Sequence, residues 1–278
     1  MIRILAYAKI NLSLSVLRRR EDGFHEIDSL IQTVDLADDI SVSRSGDSLN
    51  VKNNLRIAQQ EDLAWRAANL VLEEKTVRCG MQITVHKAIP TGAGLGCGSS
   101  DAAAVLWSVD RLTPPVLPPG LLMNMGAQLG SDVPLFLQGG LVRATGRGER
   151  ITPVFPSRGE HFVLIVPPVY CDTAEVYREM KTRVILKRER TSKPQLGQND
   201  LYEAAIFLYP ELLPYAQAIG ELEAEYAGMS GSGSTFYAAF ADASNAATAQ
   251  RRMEEAFPQA QVFLVHGTNT GFLAKGEE

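Results

Sequence analysis

Cysteine is sparse in this chain of 278 residues: Cys79, Cys97 and Cys171 are odd in number and widely spaced, so no disulfide framework is written into it. No C-x-x-C pair or Cys/His cluster occurs, and the four histidines (His25, His86, His161 and His266) are scattered, which leaves no ligand spacing for structural zinc. Long apolar runs are missing as well; nothing approaches the ~20 residues of a membrane-spanning helix. The first stretch carries Arg3 and Lys9 among its apolar residues and has no signal-peptide core. Nor is there an excess of positive charge. The formal net charge is -5, which gives no overall attraction to nucleic acid or to an anionic membrane. Two local basic runs, residues 18–20 and 181–193, read as solvated faces. These absences lead us to expect a cytoplasmic protein in a reduced compartment, with no nucleic-acid or membrane partner. They leave oligomeric state open.

What is present is an ordinary globular balance, 45% hydrophobic and 21% charged, in a length that suits two domains. Near the start, Ile2, Ile4, Ala6, Ala8, Ile10, Leu12, Leu14 and Val16 occupy the even positions, while Lys9, Asn11, Ser13 and Ser15 take odd ones. That period of two predicts a half-buried strand with Lys9 and Asn11 together on its polar face. On its own, a lysine on a solvated strand face usually has no function. Further strands are expected over 29–36, 39–43 and 81–89, and helices over 61–74, 102–109 and 121–129. Asp132 stands before Val133-Pro134 where a helix N-cap would, and capping alone would explain it. A hairpin is expected around Gly146-Arg147-Gly148. The Pro/Ser/Gly-rich residues 153–159 mark a boundary, dividing the chain into domains 1–155 and 156–278. In the second, strands at 161–166, 236–240 and 262–265 alternate with helices at 173–180, 201–208 (capped by Asn199-Asp200), 210–226 and 242–257. This is an α+β sandwich of ferredoxin-like type.

The densest signal is residues 90–101, P-T-G-A-G-L-G-C-G-S-S-D, between an expected strand and an expected helix. Glycines let backbone N–H groups approach a ligand closely and adopt positive φ. The helix start adds unsatisfied N–H groups and the positive end of its dipole. Together they suit a phosphate, although a turn with Ser100 or Asp101 merely capping the helix is the plain alternative. No lysine follows Gly98, so the G-x-x-x-x-G-K-[ST] phosphate loop is excluded. A G-x-G-x-x-G fingerprint fails too, because Cys97 or Ser99 falls on its sixth position.

The remaining pattern, P-x-G-x-G-L-G-x-G-S-S-D-A, resembles the phosphate loop of the GHMP kinases. Three further stretches extend the resemblance over nearly the whole chain: A-K-I-N-L from Ala8 with D-G-F-H-E from Asp22, G-S-D-V-P from Gly130, and G-M-S-G-S-G-S from Gly228. The first pair of motifs resembles the branch of that family whose acceptor carries a cytidine diphosphate.

The resemblance implies a two-domain α+β fold, with an N-terminal domain like domain 2 of ribosomal protein S5 and a ferredoxin-like C-terminal domain. It also implies transfer of the ATP γ-phosphoryl, with Mg²⁺, to a hydroxyl of a cytidine diphosphate sugar alcohol, the methylerythritol unit of the non-mevalonate isoprenoid route. By motif position, Asp132 would be the catalytic base and Lys9 its neighbour, polarising the hydroxyl. ATP would lie on Pro90, Thr91, Gly92, Ala93, Gly94, Leu95, Gly96, Cys97, Gly98, Ser99 and Ser100, with Ser99 or Ser100 at a phosphate or the metal. Asn11 would orient the acceptor, and Phe24, His25 and Tyr177 would form its cytidine pocket. Ser230, Gly231, Ser232 and Gly233 would close over the transferring group. No metal ligand is named. Cys97 stands where glycine is common, and Asp62 where an asparagine often borders the adenine. Other readings stay open: a homoserine- or mevalonate-type kinase, or a non-catalytic binding protein of the same fold.

Overall fold

A computed structural model describes residues 1–54, 57–154, 160–183 and 195–277, whose strands form two sheets. Strands β1 (Ile2–Arg19) and β2 (His25–Arg44) pair antiparallel along nearly their whole length. Asp22 latches the turn between them by accepting the Phe24 N–H (3.1 Å), while Arg20 N–H donates to Phe24 O (2.8 Å). Two strands were expected within β2. They are continuous: Asp35 and Leu36, at the end of the first, form a bulge opposite the step from Tyr7 to Ala8, so the strand bends without ending.

The larger sheet runs β11-β1-β2-β4-β3, with a β5–β6 hairpin also paired to β2. Here β3 is Leu49–Asn53, β4 Met81–His86, β5 Leu141–Gly146, β6 Arg150–Pro153 and β11 Phe272–Glu277. Helices α1 (Leu63–Glu74), α2 (Cys97–Leu112), α3 (Pro119–Leu129) and α4 (Val133–Gln138) share a hydrophobic core with it. The three alanines Ala102, Ala103 and Ala104 are fully buried, and their small side chains let α2 lie close to its neighbours. α2 begins at Cys97, five residues before the expected start, because the glycine loop winds directly into its first turn.

The smaller sheet has the order β10-β7-β9-β8, from β7 (His161–Val166), β8 (Tyr226–Met229), β9 (Phe236–Phe240) and β10 (Gln261–His266). Its helices are α5 (Thr173–Arg183), α6 (Tyr202–Leu208), α7 (Leu213–Gly220) and α8 (Ala243–Ala256), the last capped by Asp242. This strand order and β-α-β-β-α-β succession are the ferredoxin-like layout that the alternation predicts. The sequence boundary falls between β6 and β7; residues 155–159 and most of the basic run 181–193 lie outside the described residues. β11 then carries the chain back to pair with β1. Among the described residues no helix is long and apolar enough to cross a membrane.

The second half of the chain covers the polar face of β1. Leu14 N–H donates to Gln198 O (2.9 Å), Val16 N–H to Asp200 Oδ2 (2.9 Å) and Asn11 N–H to Ser230 Oγ (3.2 Å). The face expected to meet water is therefore inside, and Lys9, Asn11 and Ser13 are buried. Asn199 accepts the Leu201 N–H near the start of α6, but it also donates to Met229 O and Gly231 O, joining that segment to the loop before β9.

Beneath the glycine loop, Lys87 is held between the buried carboxylates of Asp38 and Asp101. Asp38 also accepts the N–H groups of Ala88 (2.6 Å) and Ile89 (2.9 Å), fixing the approach to the loop. Burial disfavours the lysine's charge, but Asp101 and Asp38 outweigh it and raise its pKa. Removing the cation strands two desolvated carboxylates. Lys87→Met should lower the unfolding free energy by roughly 3–5 kcal/mol in urea denaturation; a loss below about 1 kcal/mol would contradict this account.

Candidate active site

A cleft of ≈ 840 Å³ opens between the two sheets, and the sequence motifs converge on it. On its floor, the Lys9 ammonium from β1 donates to Asn11 Oδ1 (2.7 Å) and Gly94 O (2.8 Å), and lies 3.9 Å from Asp132 Oδ2. The Asn11 amide in turn donates to Ser29 Oγ (2.8 Å), which keeps its oxygen toward the lysine. Burial lowers the Lys9 pKa, and the Asp132 charge opposes that shift. Asp132 precedes α4, yet its side chain makes no capping bond. The capping reading is thereby replaced: the carboxylate is left free to face the cleft, about a third exposed beside a buried cation.

Above them the glycine loop turns through three left-handed glycines, Gly92 (φ 66°), Gly94 (φ 77°) and Gly96 (φ 75°). A Cβ on Gly94 would stand 2.2 Å from Ser230 O, so glycine is required there for space as well as conformation. The loop is tied down on both sides: Lys9 N–H donates to Leu95 O (3.1 Å), and Thr235 Oγ1 to Ala93 O (2.6 Å). α2 makes its first intrahelical bond from Ser100 N–H to Gly96 O, so the N–H groups before it have no partner within the helix, and Gly96, Cys97, Gly98 and Ser99 line the cleft.

The placement corrects several expected contacts. Ser100 is fully buried and its hydroxyl donates to Tyr7 O (2.6 Å), so it is spent on holding α2 against β1. Ser99 keeps its place in the cleft lining. Pro90, Ala93 and Leu95 line the cleft, the last two with their side chains buried, and Thr91 lies outside this lining. Gly231 and Ser232 line the cleft, with Ser232 Oγ 2.8 Å from Thr173 Oγ1, whereas Ser230 and Gly233 do not. Ser230 Oγ instead donates to Gly94 O (2.8 Å). Asp62 caps α1 through the Ala64 N–H (2.8 Å) and bonds Asn53 (2.5 Å), so its carboxylate is already engaged. Burial raises the Cys97 pKa and keeps that sulfur in its less reactive thiol form.

At the other end Phe24, 52% exposed, His25 and Tyr177 bring aromatic rings to the lining. His25 and Tyr177 are stacked on each other, centroids 5.0 Å apart and planes 21° from parallel. They form one wall, with no gap between them for a base. Burial and the Asp132 charge raise the Tyr177 pKa, so this wall lies within electrostatic reach of the carboxylate. Leu63, Thr173, Arg147 and Arg178 also line the cleft. Their sequence surroundings do not announce them; only the pairing of β5 with β2 and the placing of α1 and α5 bring them there.

The GHMP kinases N terminal domain model matches residues 62–140, and the GHMP kinases C terminal model matches residues 192–259. A 4-diphosphocytidyl-2-C-methyl-D-erythritol kinase of Pelotomaculum thermopropionicum is 38% identical over 273 residues, covering 91% of this chain and 95% of that protein. The chain belongs to the GHMP kinase family. Another relative, the 4-diphosphocytidyl-2-C-methyl-D-erythritol kinase of Shouchella clausii, is 37% identical and covers 84% of each protein. A crystal structure of 4-(cytidine 5'-diphospho)-2C-methyl-D-erythritol kinase matches with TM-score 0.79 at 35% identity, covering 96% of this chain and all of that one. The homoserine kinase of Cytophaga hutchinsonii shares the fold at TM-score 0.76 and 17% identity, covering 99% of this chain and 97% of that one.

For a GHMP kinase, ATP is the phosphate donor. Among the described residues no group of three His, Cys, Asp or Glu is placed to hold a metal. The donor set suits a Mg²⁺ that arrives with nucleotide phosphates, which needs few protein oxygens. Gly94→Ala tests the loop. Left-handed strain of about 1–2 kcal/mol adds to a backbone collision, so the variant should melt at a lower temperature and lose nucleotide affinity in a fluorescent-nucleotide titration. Unchanged melting and affinity would contradict the packing described.

Proposed function

We propose that this GHMP kinase transfers the γ-phosphoryl of ATP to the 2-hydroxyl of 4-diphosphocytidyl-2-C-methyl-D-erythritol, in the non-mevalonate route to isoprenoid precursors. The observation that carries the reading is the Lys9–Asp132 pair, 3.9 Å apart on the floor of a cleft with a glycine loop above and an aromatic end beside it. A polyol hydroxyl at the pair and a pyrimidine at the rings fit the two ends of one acceptor.

Phosphoryl transfer asks the protein mainly for positioning and for neutralisation of charge on the phosphoryl oxygens. Asp132 accepts the acceptor's hydroxyl proton. The freed oxygen bonds to the γ-phosphorus while the bond to the β–γ bridging oxygen breaks, and ADP leaves. Lys9 stabilises the developing alkoxide by its charge. Its bonds to Asn11 and Gly94 hold the ammonium in register with the loop. Backbone N–H groups at the start of α2 receive the phosphates, and Ser99 is the nearby hydroxyl for Mg²⁺. That ion would neutralise phosphate charge. Asn11 orients the acceptor from beside the lysine, while Gly231 and Ser232 approach it from the second domain. We place the reaction, between two small soluble substrates, in the cytoplasm.

An ADP-release assay offering the diphosphocytidyl substrate, homoserine and mevalonate should show turnover with the first. Turnover only with homoserine or mevalonate would select the alternative kinases, and none with any would favour a binding protein. Asp132→Asn should lower kcat by about 10²–10⁴-fold, the range of a positioned general base, while the protein still binds ATP. Phe24→Ala should raise KM for the diphosphocytidyl substrate and leave that for ATP in place. Equal loss of both would refute its role at the base.

A further inference from the structure

Arg147 occupies the turn between β5 and β6, where its backbone N–H donates to Glu149 Oε2 (2.5 Å). Its guanidinium lies 4.9 Å over the Phe24 ring and lines the cleft. Among the described residues that guanidinium makes no hydrogen bond or ion pair. Its charge acts on Asp22, but that carboxylate is already engaged by Arg20 Nε (3.0 Å) and the Phe24 N–H (3.1 Å). Five donors thus stand half-buried at the aromatic mouth with their hydrogen-bonding capacity unused.

The charge balance of the cleft sharpens the point. In a chain of net charge -5, the lining holds Lys9, Arg147 and Arg178 against Asp132 alone. Lys9 is committed to Asn11 and Gly94 on the floor. Arg147 therefore brings to the Phe24 ring a positive charge that no hydrogen bond or ion pair among the described residues engages. A guanidinium held over a ring face by its charge still has its N–H groups to donate, and they form the fork that matches two phosphate oxygens.

We propose that Arg147 is a specificity residue, with Phe24 as its platform and the diphosphate of the cytidine diphosphate acceptor as its ligand. This rests on the function proposed above and assigns its discrimination between phosphorylated and plain nucleosides to one side chain. Phe24 then holds two partners, the guanidinium and the base, which explains why so exposed a ring sits in a turn latched by Asp22 and Arg20.

Calorimetric titration with cytidine and cytidine 5'-diphosphate, with the nucleotide site filled by a non-hydrolysable ATP analogue, tests it. The wild-type protein should favour the diphosphate by about 10- to 100-fold, the range of charge-assisted hydrogen bonds. Arg147→Ala and Arg147→Gln should abolish that preference and leave cytidine affinity in place, while Arg147→Lys restores part of it. In turnover, the same variants should raise KM for the diphosphocytidyl substrate and not for ATP. A preference unchanged in Arg147→Ala overturns the proposal, as does an equal loss of cytidine and diphosphate binding, which would mark a merely structural residue. Wild-type protein binding neither ligand would instead overturn the cytidyl reading of the cleft. The turn's bond to Glu149 uses the backbone N–H, so these variants should melt as the wild type does.

Discussion

One carbonyl oxygen joins the parts of this kinase. Gly94 O receives the Lys9 ammonium from the larger sheet and the Ser230 hydroxyl from the segment leading into the smaller one, each at 2.8 Å. Both donors converge because Gly94 has no side chain and turns left-handed, letting its backbone press against Ser230 O. The glycine loop is thus also a junction between the two halves of the chain, and the position of the Lys9 ammonium depends on its shape.

The electrostatics follow from the same closure. Covering the polar face of β1 takes Lys9 out of water, which penalises its charge and lowers its pKa. The structure answers with oriented oxygens, those of Asn11, Gly94 and Asp132, and so keeps a buried cation where negative charge is handled. Lys87 repeats the solution under the loop, with two carboxylates around one ammonium. The first cation faces the cleft and the second supports the backbone above it. A lysine is chemically useful in one place and structural in the other because only one of them has an open side.

Much of this was legible in the residues. Alternation in β1 placed Lys9 and Asn11 together, and the four glycines from Gly92 to Gly98 marked a tight loop that lines the cleft. The order of strands and helices after residue 160 led to the ferredoxin-like half. The misses share a cause. β3 and β11 become strands through partners distant in sequence, β4 and β1, and β8 has only four residues to show a period. Ser100 reads like a phosphate ligand because it follows the glycines, but the rotation of α2 turns its hydroxyl to Tyr7 O. Arg147 looks like an ordinary turn residue until the hairpin is laid on β2 beside Phe24.

By itself, then, the sequence determined the local chemistry: which backbone could cradle phosphate, which lysine and aspartate were available, and which strand would carry them. Those are properties of period, steric freedom and residue type, which need no distant partner. The tertiary structure alone decided which side chains remain free. It spent Ser100, Ser230 and Asp62 on internal bonds, buried the face of β1 that alternation assigns to water, and brought Asp132, paired with Lys9, and Arg147 to a common cleft. Hydrogen-bonding capacity is finite, and only the packed fold shows where it has been used.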